Sequence, residues 1–456
     1  MVVEGWLTRA AAARPQHAAL RTPAGSWTYA QLHAAALSGA QELSGLGAGP
    51  GEHVGIALAP GLAFAQALHA CMLLGAVAVP VDLRLGAAER AHICAGAAVV
   101  VEEPLSPPGG RPPHARGRAR AVSAGHDLAA TAAIIHTSGT TSAPRPVALS
   151  YGNFLWSALG SAVALGLDPA ERWLCALPVS HVGGLSILMR SAIYATTAVV
   201  HERFETERVL GALREEQVTL VSLVATTLAR LLDAGLKDPP ALRCALTGGG
   251  PVAPALIDRA RAAGVPVSLT YGLTESCSQA TTAPVASLQS AGSGVEPGAA
   301  PDAGPPLFCT GLAIAPDGEI LLRGPTVAAG SAGPDGWLHT GDLGSLEGRG
   351  RLRVTGRKAD TIVSGGENVA PAEVEAVLEA HPDVLEAAVL GRSDERWGEA
   401  VTAIVVARAE ALLDAEQLRA HCAARLAPYK VPKDFVLSGE RLPRTPSGKL
   451  LRRELA

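Results

Sequence analysis

The chain has 456 residues, a length that suggests two to four domains, and a formal net charge of −4, and hydrophobic residues make up 48% of it, enough for a sizeable core. The lack of a basic block argues against a nucleic-acid partner, and the arginines between positions 111 and 120 are better explained as part of a solvated loop. The seven cysteines are scattered without a Cys-x-x-Cys pair, which predicts free thiols in a reducing compartment and hence a cytoplasmic protein.

An early stretch from Val54 to Val81 contains no Asp, Glu, Lys or Arg. Its length would suffice to span a bilayer. However, Pro60 and Pro80 interrupt it, and its pattern divides into a strand, a packed helix and a second strand. We therefore predict buried globular elements and no membrane span. The N-terminus also lacks the basic and apolar regions of a signal peptide.

Further along, short apolar strands alternate with helical patterns over the first 350 residues or so, which predicts covered, largely parallel sheets. Strands are predicted at 132–136, 218–224 and 265–271. After Gly356 the pattern changes to a few strands and two helices, the second opened by a capping box at 414–417. The prediction is an α/β fold: a large N-terminal domain with layered, mostly parallel sheets (1–357) and a small C-terminal α+β domain (358–456).

Five sparse motifs lie along this framework, and each is weak by itself. The first follows a strand and concentrates hydroxyls around Gly139, so that N–H groups and hydroxyls can turn toward a polyphosphate. It is not a Walker A loop, because no Gly-Lys-Ser/Thr follows. The motifs are His136-Thr-Ser-Gly-Thr-Thr141, Tyr271-Gly-Leu-Thr-Glu275, Gly336-Trp-Leu-His-Thr-Gly-Asp342, Gly356-Arg-Lys-Ala-Asp360 and Pro446-Ser-Gly-Lys449.

In this order the five motifs resemble those of the adenylate-forming superfamily, which includes acyl- and aryl-CoA ligases, firefly luciferase and peptide-synthetase adenylation domains. The resemblance covers essentially the whole chain. It implies that a carboxylate attacks the α-phosphorus of ATP, giving an acyl-adenylate and pyrophosphate, and that a thiol, usually that of CoA, then displaces AMP. The implied ligands are ATP, Mg²⁺, CoA and a small carboxylic acid. Because an anion approaches a polyanion, cations and N–H donors must offset the repulsion.

The resemblance also assigns the nucleotide site, residue by residue. Glu275 would bind Mg²⁺, a hard cation that suits a carboxylate. Tyr271 would stack on adenine, and Asp342 would accept hydrogen bonds from the ribose hydroxyls. The phosphate-binding residues would be Thr137, Ser138, Gly139, Thr140, Thr141 and Arg145. The nucleotide-binding residues would be Gly248, Gly249, Gly250, Pro251, Tyr271, Gly272, Thr274, Asp342 and Arg357.

For the small domain, the resemblance implies a catalytic lysine and a hinge. Lys449 would insert between the acyl carboxylate and the α-phosphate, where a compact ammonium stabilises developing charge. The small domain would rotate about Ala359 between the two steps. Its second face would then present Gly365, Gly366 and Trp397 to CoA.

The phosphate loop departs from the family pattern, which usually runs Thr-Gly-x-Pro-Lys-Gly. This chain has Ser142 for a glycine, Arg145 for the lysine and Pro146 for the last glycine. Arginine keeps the charge with another geometry, and proline removes an N–H. We still expect an active enzyme, because the other motif residues are present.

The block 177–194, together with 246–251 and 270–279, is similar to the o-succinylbenzoate–CoA ligases of menaquinone synthesis. His181 would then line the pocket near the reacting carboxylate as a second catalytic residue. The second carboxylate of such an acid needs a cation or N–H donors. Arg190 is one candidate, although a helical arginine is more often a surface charge.

Three other functions stay open from the sequence. One is another aryl- or medium-chain acyl-CoA ligase. Another is a stand-alone adenylation enzyme that loads a carrier-protein thiol, although no pocket Asp for an α-ammonium is evident near His181. The third is a nucleotide-binding regulatory protein without catalysis, which only the altered phosphate loop supports. The oligomeric state stays open too, with a homodimer among the options.

Overall fold

The computed structural model describes residues 1–109, 122–137, 145–284, 302–409, 411, 413–444 and 450–455. Within these ranges no helix has the length and apolar character needed to cross a membrane. The apolar stretch 54–81 is instead a strand, a 13-residue helix and a second strand, as predicted. All seven cysteines are free thiols. The arginine-rich loop at 111–120 lies outside the described residues.

The helix predicted within 54–81 and the two helices predicted after Gly356 are present in the structure. The helices are α1 (Trp6–Ala13), α2 (Tyr29–Gly45), α3 (Leu62–Leu74), α4 (Ala87–Ile93), α5 (Tyr151–Leu165), α6 (Val182–Tyr194), α7 (Thr206–Glu215), α8 (Ala225–Asp233), α9 (Pro254–Ala262), α10 (Pro371–Glu379) and α11 (Ala415–Ala423). Short 3-10 turns are Thr274–Ser276, Gly348–Gly350, Lys358–Asp360 and Arg452–Glu454.

The strands fall into two chain segments, divided near residue 358. The first segment contains β1 (Val2–Glu4), β2 (Ala18–Thr22), β3 (Gly25–Thr28), β4 (His53–Ile56), β5 (Val77–Pro80), β6 (Val99–Val101), β7 (Gly125–Asp127), β8 (Thr131–Thr137), β9 (Arg145–Ser150), β10 (Arg172–Cys175), β11 (Thr197–Val200), β12 (Leu220–Leu223), β13 (Cys244–Thr247), β14 (Val267–Tyr271), β15 (Thr281–Thr282), β16 (Gly311–Ile314), β17 (Glu319–Arg323), β18 (Leu338–Glu347) and β19 (Arg351–Arg357). The second contains β20 (Ile362–Ser364), β21 (Glu367–Val369), β22 (Val384–Asp394), β23 (Gly398–Ala407) and β24 (Asp434–Ser438).

Two mostly parallel sheets form the large domain. One has the order β15-β14-β13-β12-β10-β11-β2-β3, and its central pairs are parallel. The other has the order β6-β4-β5-β8-β9, with only the last pair antiparallel. One apolar core joins both sheets through α2, α3, α5 and α6, and a second covers the other face of the longer sheet with α7, α8 and α9. The layered architecture that the sequence predicted is confirmed.

One sheet differs from the sequence prediction. Strands β16 to β19 form an antiparallel four-stranded meander, whereas strand–helix alternation had been expected over the first 350 residues or so. Its core is small and centres on Ile320, Leu322 and Leu352. The alternation of half-buried and exposed residues that marks such strands is weak here, because glycines and charged residues interrupt it. This meander carries Asp342 and Arg357.

The small C-terminal domain has its own sheet and core. Strands β20 to β24 pair mostly antiparallel, and α10 and α11 cover the sheet through Val374, Leu378 and Leu418. The predicted capping box is present: the Asp414 carboxylate accepts the Gln417 N–H at 2.8 Å, and the Gln417 side chain accepts the Asp414 N–H at 3.3 Å. The helix ends at Ala423, a little before the proline that was expected to stop it.

Candidate functional site

The longer sheet gathers several predicted residues at one edge. Strands β10, β12, β13 and β14 are parallel neighbours, so the loops after them open on the same side. Those loops carry His181, the glycines from Gly248 to Gly250, and the segment Gly272–Glu275. Ligands of open parallel sheets bind at this carboxyl edge. The fold therefore brings together three sets of residues that the sequence singled out.

The phosphate motif begins at the end of β8, which pairs antiparallel with β9. Thr137 ends β8 and pairs with Arg145, which begins β9, and the Thr137 hydroxyl donates to the Arg145 carbonyl oxygen at 3.4 Å. Strand β9 contacts the 3-10 turn Thr274–Ser276. Strand β9, which begins at Arg145, therefore lies next to the turn that carries the predicted metal residue. Ser138, Gly139, Thr140 and Thr141 lie outside the described residues.

Glu275 occupies the 3-10 turn that follows β14, together with Thr274. The Glu275 carbonyl oxygen accepts the Ala328 N–H at 2.8 Å, which holds the backbone, while no described residue forms a hydrogen bond or ion pair with the half-buried carboxylate. Among the described residues no cluster of three or more His, Cys, Asp or Glu forms a ready metal site. A single unpaired carboxylate fits Mg²⁺, which usually keeps several waters and takes few protein ligands beside substrate phosphates.

Two glycines allow the backbones at this edge to approach each other closely. A Cβ at Gly248 would lie 2.6 Å from the Thr270 carbonyl oxygen, and a Cβ at Gly272 would overlap the Ser278 carbonyl oxygen. Gly249 has φ +80°, which favours glycine, whereas a Cβ at Gly250 would meet only open space. Pro251 follows directly in the chain. The close approach at Gly248 is to the backbone of β14, and the predicted nucleotide-binding role of 248–251 stays a prediction.

Replacing Gly272 with alanine should destabilise the large domain by about 2 kcal/mol or more, because the new methyl group would displace the backbone at Ser278. Gly250→Ala is the matched control and should change stability by less than about 0.5 kcal/mol. Urea unfolding followed by tryptophan fluorescence measures both. Equal stability of the two variants would contradict the close approach.

Tyr271, Asp342 and Arg357 form the best-defined polar cluster of the site. The Tyr271 hydroxyl donates to Asp342 Oδ2 at 2.9 Å, and Arg357 Nε lies 2.8 Å from Asp342 Oδ1. Asp342 and Arg357 are also direct partners across β18 and β19. Burial, and then the charge of Asp342, raise the pKa of Tyr271 far above its usual range, so the phenol stays protonated and donates. The contact orients a buried carboxylate beside an aromatic ring.

Two further hydrogen bonds hold the backbone of Gly341 and Asp342. Glu319 Oε1 accepts the Gly341 N–H at 2.9 Å, and the Thr340 hydroxyl accepts the Asp342 N–H at 3.1 Å. The sequence analysis missed Glu319. Its position opposite Leu343 in the β17–β18 pair is a tertiary fact that the motif does not encode.

His181 is the residue that precedes α6, and its side chain faces an acidic partner. Its Nε2 lies 3.9 Å from Asp82 Oδ2, and the imidazole is 43% exposed. Burial alone would raise the pKa of Asp82, but hydrogen bonds from the Arg84 side chain and backbone hold it below its usual value. Asp82 was missed from sequence, although it follows β5 at the carboxyl end of a parallel strand, a position that could have revealed it.

Arg190 lies inside α6 and is buried, the opposite of the surface position that helical arginines usually take. Its Nη2 donates to the Ser157 hydroxyl at 3.0 Å, and its guanidinium carbon lies 5.4 Å from the centre of the Trp173 ring. Burial lowers its pKa, and no carboxylate among the described residues pairs with it. The surface expectation for this residue was therefore wrong.

The three residues predicted for CoA form one patch on the small domain. Gly365 and Gly366 have φ of +62° and +85°, and the Gly365 N–H donates to the Trp397 carbonyl oxygen at 2.8 Å. The Trp397 ring lies directly against Gly365. Cationic groups of Arg396 and Lys433 lie 4.8 and 5.0 Å from the ring centre. An aromatic ring flanked by cations can contact a thiol substrate that carries phosphates.

The two remaining predicted residues are Ala359 and Lys449. Ala359 is the middle residue of the 3-10 turn Lys358–Asp360, between the large domain's last strand β19 and the small domain's first strand β20. Lys449 lies outside the described residues, but Arg444 and Leu450 on either side pair with each other. The roles of both residues stay predictions.

Comparison with known proteins agrees with this architecture. The chain is similar to 2-succinylbenzoate–CoA ligase of Bacillus licheniformis, with 38% identity over 99% of this chain and 98% of that protein. Its structure is similar to o-succinylbenzoate CoA synthetase of Bacillus subtilis in complex with the acyl-adenylate intermediate OSB-AMP, with TM-score 0.88, 35% identity and coverage of 100% and 98%. The complex of the same enzyme with ATP and magnesium ion gives TM-score 0.87, 35% identity and full coverage of both chains.

Family profiles match both parts of the chain. The AMP-binding enzyme profile matches residues 7–331, and the profile of the AMP-binding enzyme C-terminal domain matches residues 373–449. The first match alone covers more than half of the 456 residues. The chain therefore belongs to the AMP-binding enzyme family.

Proposed function

We propose that the protein is an ATP-dependent 2-succinylbenzoate–CoA ligase that works through an acyl-adenylate. The observation that carries the proposal is the cluster of Tyr271, Asp342 and Arg357, an aromatic ring and a buried carboxylate held in register at a sheet edge. The relatives named 2-succinylbenzoate–CoA ligase, which match over nearly the whole chain, support the choice of acid.

The chemistry has two steps. In the first, a carboxylate oxygen of the acid forms a bond to the α-phosphorus of ATP, and the bond to pyrophosphate breaks. In the second, the CoA thiolate attacks the acyl carbon and AMP leaves. The first step brings negative charges together, so the barrier depends on positive charge placed where they meet.

Each residue would contact a different part of the substrates, according to its position. Asp342 would bind the ribose hydroxyls, and the Tyr271 ring would lie against adenine while its hydroxyl stays on Asp342. The hydroxyls of 137–141 and the Arg145 guanidinium would hold the β- and γ-phosphates. Glu275 would hold Mg²⁺, which neutralises phosphate charge when bound. Lys449 would place an ammonium between the acid and the α-phosphate.

His181 would lie beside the acid because it begins a helix at the same sheet edge. Its neighbour Asp82 can orient the imidazole through a long contact of 3.9 Å. Gly365, Gly366 and Trp397, with Arg396 and Lys433 beside the ring, would receive CoA after rotation of the small domain about Ala359. We place the domain boundary at residues 357 and 358.

His181→Ala should lower kcat/KM for the acid by about 10- to 100-fold and leave KM for ATP within about twofold, because the imidazole lies on the acid side of the site. Steady-state kinetics with either substrate varied measures both constants. Asp82→Asn should have a smaller effect in the same direction, since it removes only the partner of the imidazole. A change in KM for ATP alone would contradict this assignment.

A substrate panel tests the proposed function. Pyrophosphate release is measured with 2-succinylbenzoate, benzoate, a medium-chain fatty acid and an amino acid, first without a thiol and then with CoA or a carrier protein. We expect 2-succinylbenzoate and CoA to give the highest kcat/KM. A higher kcat/KM with another acid would show that the proposed substrate is wrong. A higher kcat/KM with a carrier protein would show that the proposed acceptor is wrong. No turnover with any acid would favour a regulatory nucleotide-binding role.

A cytoplasmic location and a homodimer are further parts of the proposal. The seven free cysteines support a reducing compartment. Light scattering at micromolar concentration gives the mass in solution, which is 46.4 kDa for a single chain. Twice that mass would support the homodimer.

A further inference from the structure

The segment after Lys449 is fastened to the small domain by Arg452. Its Nη2 donates to both carboxylate oxygens of Glu375, at 2.6 Å to Oε1 and 2.7 Å to Oε2. Glu375 lies on α10, is buried, and also accepts the Val389 N–H at 2.8 Å. Short hydrogen bonds between two charged groups are among the stronger ones in proteins. Residue 452, three positions after Lys449, therefore has a defined place on the small domain.

The described residues on either side of 445–449 are held as well. Arg444 and Leu450 form an antiparallel bridge, and the Leu451 N–H donates to the Pro443 carbonyl oxygen at 2.9 Å. Arg444 Nη2 also donates to Glu386, a buried residue of β22, at 2.9 Å. Leu450 packs against an apolar cluster of the same domain. The direct neighbour of Lys449 is thus fixed by both backbone and side chain.

Arg452 also reaches the turn that contains the predicted hinge. Its Nη1 lies 3.3 Å from Asp360 Oδ2, directly after Ala359. On the other side of Ala359, Lys358 Nζ lies 2.5 Å from Asp317 Oδ2 and 3.4 Å from Glu319 Oε2, both in the large domain. The two neighbours of Ala359 are therefore bound to different domains. A rotation at Ala359 would carry Asp360, Arg452 and the segment of Lys449 together.

We propose that Arg452 is a positioning residue that joins the segment of Lys449 to the hinge turn, so that closure of the small domain delivers the lysine to the adenylation site. The inference rests on the proposed function, in which Lys449 acts in the first step only. A guanidinium suits this role because its planar fork can bind Glu375 and Asp360 at once, which a lysine ammonium cannot do with the same geometry.

The two half-reactions separate this role from a purely structural one. Adenylation is measured as pyrophosphate release from ATP and 2-succinylbenzoate, and thiol transfer as AMP release when CoA is added to chemically prepared acyl-adenylate. Arg452→Ala should slow adenylation by about 10- to 100-fold and thiol transfer by less than about threefold, because small misplacements of a catalytic group cost that much. Arg452→Lys should recover part of the adenylation rate.

Arg441→Ala is the matched control, because Arg441 also binds a buried glutamate of this domain, Glu386 at 2.7 Å, without touching Asp360. It should leave the ratio of the two half-reactions unchanged. Asp360→Asn keeps the pair of Arg452 with Glu375 and should still slow adenylation selectively, so it carries the test if Arg452→Ala fails to fold.

Each result decides the proposal. Equal loss of both half-reactions in Arg452→Lys and Asp360→Asn, or no loss in either, overturns it while the wild-type enzyme remains active. A wild-type protein that adenylates no acid overturns the proposed function itself, and this inference with it.

Discussion

Replacing Lys449 with alanine should lower the rate of adenylation by about 10²- to 10³-fold, the usual cost of removing one donor that stabilises transition-state charge. The reason is the electrostatics of the first step, in which the acid and the triphosphate are both anionic. Rapid-quench measurement of acyl-adenylate formation isolates that step from thiol transfer. The expected loss is in the rate constant, because in the proposed role the amine would contribute mainly in the transition state.

Thiol transfer provides the internal control for Lys449. With acyl-adenylate supplied, Lys449→Ala should release AMP on addition of CoA at a rate within about threefold of wild type, because in the proposed function the second step uses another face of the small domain. Lys449→Arg keeps the charge but not the compact shape, so its adenylation rate should lie between those of wild type and Lys449→Ala. Loss of both steps to the same extent would exclude a specific role in adenylation.

Several elements of both domains could be predicted from sequence because their signals are local. The charge-free stretch 54–81 separates into a strand, a helix and a strand at its prolines and glycines, and the structure follows that division. The capping box at Asp414 is likewise set by residues three apart. Such features depend on neighbours along the chain, so one sequence is enough to find them.

The antiparallel meander and the hydrogen bonds around Asp342 could not be predicted in the same way. Glu319 and Gly341 are 22 residues apart in the sequence, and Tyr271 and Asp342 are 71 apart. The first contact depends on the pairing of β17 with β18, and the second on how the meander packs against the longer sheet. The resemblance to a family predicted that Tyr271, Asp342 and Arg357 share a site, but not that the phenol donates to the carboxylate.

Arg190 and Asp82 show a second limit of prediction from sequence, because burial of a single side chain depends on how the layers pack. A helical arginine is usually exposed, yet Arg190 fits under Trp173 and Ser157 because the helix lies between two sheets. Asp82 gains its position beside His181 only when β5 and β10, which belong to different sheets, are packed together. In both cases the sequence gives the residue type, and the packing of layers decides what surrounds it.

Replacing Asp342 with alanine should lower kcat/KM for ATP by about 10²-fold or more, because two ribose hydroxyls would lose a charged acceptor, each such hydrogen bond contributing about 1.5–3 kcal/mol. The buried carboxylate is already oriented by Tyr271 and Arg357 before the nucleotide arrives, so little ordering remains to be done on binding. Isothermal titration with ATP measures the affinity directly, and kinetics with varied ATP measures the effect on the reaction.

Two further variants divide this effect into its parts. Tyr271→Phe removes only the hydroxyl that donates to Asp342 and keeps the ring, so ATP affinity should fall by less than about tenfold. Asp342→Asn keeps the shape but loses the charge that pairs with Arg357. Its ATP affinity should therefore lie between those of Tyr271→Phe and Asp342→Ala. Unchanged ATP affinity in Asp342→Ala, with a melting temperature equal to wild type, would show that the ribose binds elsewhere. Lost affinity in Tyr271→Phe as large as in Asp342→Ala would instead mean that the phenol, rather than the carboxylate, is the nucleotide contact.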